Sequence, residues 1–131
     1  MPSSFLLYRS RTDLGPRSRG CADIISGSRL RNPGLDLTGY LHLEDGLFYQ
    51  WLEGPKAAVD HMRGRIASDS RHRDMETLWS GEQGERKFGA WQMGFGLSDP
   101  GTLFSWVAQN GVSVSDPVEF ANGVLRFMRA G

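Results

Sequence analysis

The chain has 131 residues, one domain's worth, and its 15 basic residues are matched by 15 acidic ones, so the formal net charge is zero. That balance offers no positive field to a phosphate backbone or an anionic bilayer, and no run approaches the roughly 18 apolar residues that span a membrane. A single cysteine, Cys21, excludes an internal disulfide, and an N-terminus without a leader pattern makes the expected location cytoplasmic, with neither nucleic acid nor membrane as partner.

Phe5-Leu6-Leu7-Tyr8-Arg9-Ser10 reads as a strand, closed by the turn-prone Asp13-Leu14-Gly15-Pro16. A helix of about 15 residues follows, with Cys21, Ile24, Ile25, Ser28 and Asn32 on one face, and Asn32-Pro33-Gly34 should end it. From Leu35 to Leu52 the pattern has period two around Asp45-Gly46, a preferred two-residue hairpin turn. That turn sets Leu43 against Phe48, Leu41 against Gln50 and Gly39 against Leu52. One face is then apolar with Gln50 in its middle, and the other carries Tyr40, His42, Tyr49 and Trp51. An amide left without partners in such a layer costs roughly 1–3 kcal/mol, so Gln50 needs a polar group from another element, a ligand or water.

Gly54-Pro55 opens a second helix to about Ser68, striped by Val59, Met62 and Ile66, with Met62, Arg65, Ile66 and Asp69 adjoining. Asp74–Ser80 and Phe88–Leu97 are further strand candidates, the latter with Trp91, Met93, Phe95 and Leu97 on one side. This order predicts an α+β, ferredoxin-like β-α-β-β-α-β-β fold with both helices on one face of the sheet. Two C-terminal helices remain. Asp99-Pro100 should cap the first, whose apolar positions are Leu103, Phe104 and Val107. Asp116-Pro117-Val118-Glu119 should cap the second, striped by Phe120, Val124, Phe127 and Met128. They are expected to cover the other face, with Phe5, Leu7, Tyr40, Tyr49 and Trp51. A core of residues 1–97 and an extension of 98–131 should form the same compact domain.

Several chemistries find no support. No phosphate-binding Gly-rich loop or nucleophile elbow is present, and Gly94-Phe95-Gly96 lacks the third glycine of a dinucleotide site. His42, His61 and His72 lack metal-ligand spacing and read as solvated, so no metal is expected. Cys21 reads as a buried small residue. Arg29, Arg31, Arg65 and Arg71 are either surface arginines or a pocket for an anionic cofactor tail.

Tyr8-x-Ser10, Ser28-Arg29-x-x-Asn32 and Leu37-Thr38-Gly39-Tyr40-Leu41 together resemble the BLUF domain, the blue-light sensor using flavin. The match continues through Gly46-x-Phe48-x-Gln50-x-Leu52-Glu53-Gly54-Pro55, Ile66-x-x-Asp69-x-Arg71-His72 and Arg86-x-Phe88-x-x-Trp91-x-Met93-Gly94-Phe95. Each piece is weak alone; their order over roughly residues 5–97 is specific.

The resemblance implies a sensor, not an enzyme, with FAD between the two helices, FMN or riboflavin being possible replacements. Tyr8 and Gln50 match the photochemical pair. Asn32 matches the residue bonded to the ring's polar edge, and Ile24 and Ile66 match the aliphatic walls. Ile25, Ser28, Arg29, Leu41 and Phe48 complete the expected flavin contacts. Arg65, Asp69, Arg71 and His72 match the ring's surroundings or the ribityl and phosphate entrance, and Ser10 is close enough to assist. Arg31 stands where His or Asn is commoner, and is carried as a contact to flavin or phosphate. Trp91 and Met93 match the fifth-strand residues that pass the signal outward. The implied mechanism is light-driven transfer of an electron and a proton from Tyr8 to flavin, with Gln50 rearranging its hydrogen bonds. The implied output is a separate signalling protein. Aromatic residues beside the amphipathic terminal helices point to a homo-oligomer as well, although covering the sheet accounts for the same residues. An acylphosphatase-like hydrolase and a light-insensitive interaction module are the rival readings.

Overall fold

Side chains alternating to two faces build a central sheet in this structure, a computed structural model that describes residues 3–15, 17–89, 94–96 and 102–130. In chain order the elements are β1 (Ser3–Arg11), α1 (Arg19–Arg31), β2 (Thr38–Glu44), β3 (Leu47–Gly54), α2 (Lys56–Ala67), β4 (Arg73–Gln83), β5 (Gly94–Gly96), α3 (Thr102–Gln109) and α4 (Pro117–Ala130). The sheet order is β4-β1-β3-β2-β5. Pairing is antiparallel except for β5, which runs parallel to β2. The first four strands and α1 and α2 thus have the expected ferredoxin-like connectivity.

The hairpin forms in the expected register: Leu43 faces Phe48, Leu41 faces Gln50 and Gly39 faces Leu52. Asp45 and Gly46 both adopt positive φ (50° and 75°), the backbone that a two-residue turn matched to strand twist requires. On the front face Leu6, Tyr8, Leu41, Leu43, Phe48 and Leu52 pack against Cys21 of α1 and Val59 and Met62 of α2. On the back face Phe5, Leu7, Tyr49 and Trp51 pack against Leu103 and Val107 of α3 and Val124 and Met128 of α4. Asp116 caps α4, its Oδ1 accepting from the N–H groups of Val118 and Glu119.

The differences from expectation have local causes. β4 runs to Gln83 because β1 supplies a ladder partner along its whole length, although its own side chains are largely exposed. Phe88 lies in a bend rather than a strand, and its ring packs on Tyr40 and Trp51 at the back. Trp91, Met93, Leu97 and the Asp99-Pro100 cap fall outside the described residues. At α3 it is Glu44 of β2 that receives the first-turn N–H groups, Leu103 N at 2.6 Å and Phe104 N at 3.1 Å. Phe104 points to water, 73% exposed. His42 is not solvated: fully buried, it donates through Nε2 to Glu44 Oε1 at 2.9 Å, with the Phe127 ring edge-on.

Candidate functional site

Antiparallel pairing of β1 and β3 sets Tyr8 directly opposite Gln50. Both are buried on the front face, and the Tyr8 hydroxyl donates to Gln50 Oε1. The amide that the hairpin pattern left without an obvious partner thus finds a phenol from the neighbouring strand. Burial, and secondarily the Asp69 carboxylate, push the Tyr8 phenol well above the usual tyrosine range, so it holds its proton at neutral pH.

These two residues lie in a cleft between α1 and α2. Ile24 of α1 and Ile66 of α2 stand on its walls, and Leu41, Phe48 and Leu52 of the sheet help line it. Asn32, 1% exposed, leaves Oδ1 without a hydrogen-bond partner, and Arg31 Nε is likewise buried and unpartnered. Asp69 takes a bidentate grip from Arg71, Nη2 to Oδ2 at 2.5 Å and Nε to Oδ1 at 2.9 Å. The Arg71 hydrogen bonds hold the Asp69 carboxyl below its ordinary value, against a smaller opposing effect of burial. Arg31 is shifted down, first by burial and then by the positive Arg65 and Arg71. His72 is half-buried and bonded on both nitrogens. Its Nε2 faces the Ile66 carbonyl, which can only accept, so Nε2 carries a proton, and Nδ1 lies 2.7 Å from Ser10 Oγ.

Of the expected site residues, Tyr8, Ile24, Ser28, Arg31, Asn32, Leu41, Phe48, Gln50, Ile66, Asp69, Arg71 and His72 line this cleft. Three others do not. Ile25 packs from α1 against the front core, Arg29 is exposed in the last turn of α1, and Arg65 lines an adjoining groove with Arg31, Asp69 and Arg71. Trp91 and Met93 are outside the described residues. Asp23, Gly27, Leu52 and Met62 also line the cleft. The signal for Gly27 was present: Ile24, Gly27, Ser28 and Arg31 form an i, i+3, i+4, i+7 stripe. A stripe that lines a cleft carries glycine and polar residues as well as apolar ones, so apolar periodicity alone does not mark Gly27. Among the described residues no group of three or more His, Cys, Asp or Glu side chains is placed to hold a metal ion.

The donor set fits an isoalloxazine ring. Such a ring is flat and apolar along one side, with a row of N–H and C=O groups along the other. Aliphatic walls suit the first, and the Asn32 oxygen, an acceptor lacking a donor, suits the second. The family model described as "Sensors of blue-light using FAD" matches residues 4–94. The chain belongs to the BLUF family. BLUF domains are flavin-binding blue-light sensors rather than enzymes in themselves. Over 78 residues the chain is 38% identical to photoactivated adenylate cyclase subunit alpha of Euglena gracilis, a match spanning 57% of this chain and 8% of that one. Over 58 residues it is 43% identical to the beta subunit from the same organism, spanning 44% and 7%. The matches thus span less than a tenth of these relatives' lengths. Among solved structures, the dark-state BLUF protein BlrB superposes with a TM-score of 0.80 at 28% identity, covering 98% of this chain and 96% of that one. Klebsiella pneumoniae BlrP1, solved with FMN and cyclic diGMP, gives 0.64 at 29% identity, covering 71% and 25%. Among the described residues no helix is long and apolar enough to cross a membrane.

Proposed function

We propose that this BLUF chain holds FAD with the ring between α1 and α2, and that Tyr8 and Gln50 are its photochemical pair. The observation that carries this reading is the direct Tyr8–Gln50 hydrogen bond in a cleft whose Asn32 oxygen awaits a donor. The flavin, when bound, supplies blue-light absorption and an excited state that accepts electrons. Tyr8 is the side chain placed to release an electron and its phenolic proton. Burial keeps that proton on Oη in the dark. Gln50 is planar and offers both donors and an acceptor, so turning its amide inverts the hydrogen-bond pattern with little atomic movement. Ser10 and His72 fix the strand beside Tyr8, and Asn32 orients the ring's polar edge. Arg31, Arg65 and Arg71 at the mouth favour a phosphate-bearing tail; FMN, the ligand of BlrP1, fits the same cations. Residues 1–97 act as the sensing core and 98–131 as the extension through which a separate signalling protein is addressed. The aromatic residues behind the homo-oligomer reading pack with α3 and α4, so self-association would use other exposed apolar side chains such as Leu30, Phe104, Val114 and Val118.

A blue-light-minus-dark difference spectrum tests the reading. Wild type purified yellow should give a small reversible red shift of the flavin bands, and Tyr8→Phe and Gln50→Leu should give none. A normal photocycle in Gln50→Leu, or a chain that stays colourless with added flavin, overturns it.

A further inference from the structure

Leu52-Glu53-Gly54-Pro55 and Arg86-x-Phe88 belong to the resemblance, yet none of their polar groups reaches the flavin cleft. Glu53 is fully buried, and no cation pairs with it among the described residues. Five neutral donors converge on its carboxylate instead. Oε1 accepts from Trp51 Nε1 at 3.0 Å, Gln83 Nε2 at 2.9 Å and Lys87 N at 2.7 Å. Oε2 accepts from Thr38 Oγ1 at 2.9 Å and Phe88 N at 2.8 Å. A carboxylate is costly to bury, and here a full set of directed hydrogen bonds offsets that cost. Those bonds join β2, β3 and β4 to the connection that follows Gln83. Arg86 pins the same connection from outside, through Thr38 Oγ1 and the backbone carbonyl and carboxylate of Asp36.

Residues 84–93 join β4 to β5, which pairs with β2 over three residue pairs. A pairing so brief, with glycine at both ends of the strand, specifies its register weakly, so an anchor outside β5 adds to it. On β3 Glu53 follows Gln50 by three residues and shares the back face with Trp51, the neighbour of Gln50. We infer that Glu53 is a positioning residue of the light response: it clamps residues 86–88 to the sheet and thereby sets where the signalling strand β5 lies relative to Gln50. This rests on the proposed photochemistry for its light-dependent part alone.

The test uses the full flavin-loaded chain and two readouts. One is tryptic cleavage after Arg86 and Lys87 in the dark, followed by mass; the other is the rate of dark recovery after a blue flash. Glu53→Gln keeps the shape but trades one acceptor oxygen for a donor, so some of the five donors lose their partner. Cleavage in the connection should then be about tenfold faster, the equivalent of roughly 1.4 kcal/mol in the open population. The red shift should persist, and dark recovery should be about threefold faster or more. Thr38→Val removes at constant volume one donor to Glu53 and the acceptor of Arg86 Nη1, and should quicken cleavage by about two- to fivefold. If Glu53→Gln does not fold, this variant beside Arg86→Gln decides the matter, because only an effect larger than that of Arg86→Gln upholds the Glu53 clamp. Wild-type cleavage rates in the variants overturn the clamp. Fast cleavage with unchanged recovery reduces Glu53 to a structural anchor and overturns its part in the light response. A wild-type protein with no red shift defeats the photochemical reading instead, while cleavage still decides the clamp.

Discussion

Tyr8 keeps its proton because water cannot reach it, and the same holds to smaller degree for Tyr40 and Tyr49. Burial is the leading cause of the upward shift in all three tyrosines of the chain. In the unfolded chain they ionise near pH 10. The folded state therefore binds more protons above that pH, and stability that is whole below about pH 10 is lost as pH climbs toward the folded values. Near-ultraviolet phenolate absorbance should stay flat past pH 10 and appear only as the protein unfolds. A titration step near pH 10 in the still-folded protein contradicts the burial argument. At this scale the hairpin pattern set Gln50 among leucines and left its partner open, and Tyr8 entered only with the resemblance. What could not be read is what meets a polar atom from far along the chain, such as Lys87 N on Glu53 or Leu103 N on Glu44.

Among the elements, α3 depends on a residue of another strand. Glu44 ends β2 and receives two N–H groups of the α3 first turn, where a negative charge also complements the helix dipole. Glu44→Ala should cost roughly 1–3 kcal/mol in urea denaturation, since it removes a cap and the acceptor for the buried His42 Nε2. A change below about 0.5 kcal/mol, the size of an ordinary surface substitution, refutes that role. The hairpin was legible because Asp45-Gly46 ties turn chemistry to register. The stretch after Gln83 was not, because its position comes from Glu53 rather than from any periodicity. Phe104 misled for a related reason: helical spacing places it beside Leu103 and Val107, but α3 is too short to bury so wide a face.

For the molecule as a whole, the two faces of the sheet are unequally finished. α4 buries Ala121, Gly123, Val124, Leu125 and Met128, whereas α1 buries Cys21 and Ser28 and spends much of its inner face on the cleft. A ligand there completes the front core. FAD at a hundred times its dissociation constant should raise the unfolding free energy by about 2.7 kcal/mol, read as a shift in the urea midpoint. No shift at saturating FAD would mean that the cleft is not where the cofactor binds.

Gly27 shows what that arrangement asks of a helix. It sits mid-way along α1, and a methyl group built on it meets nothing within 4 Å. Alanine there would gain about 1 kcal/mol of helical preference, yet the added carbon would protrude into the chamber. The chain keeps the softer helix, and the room a methyl group would take beside the cleft stays open.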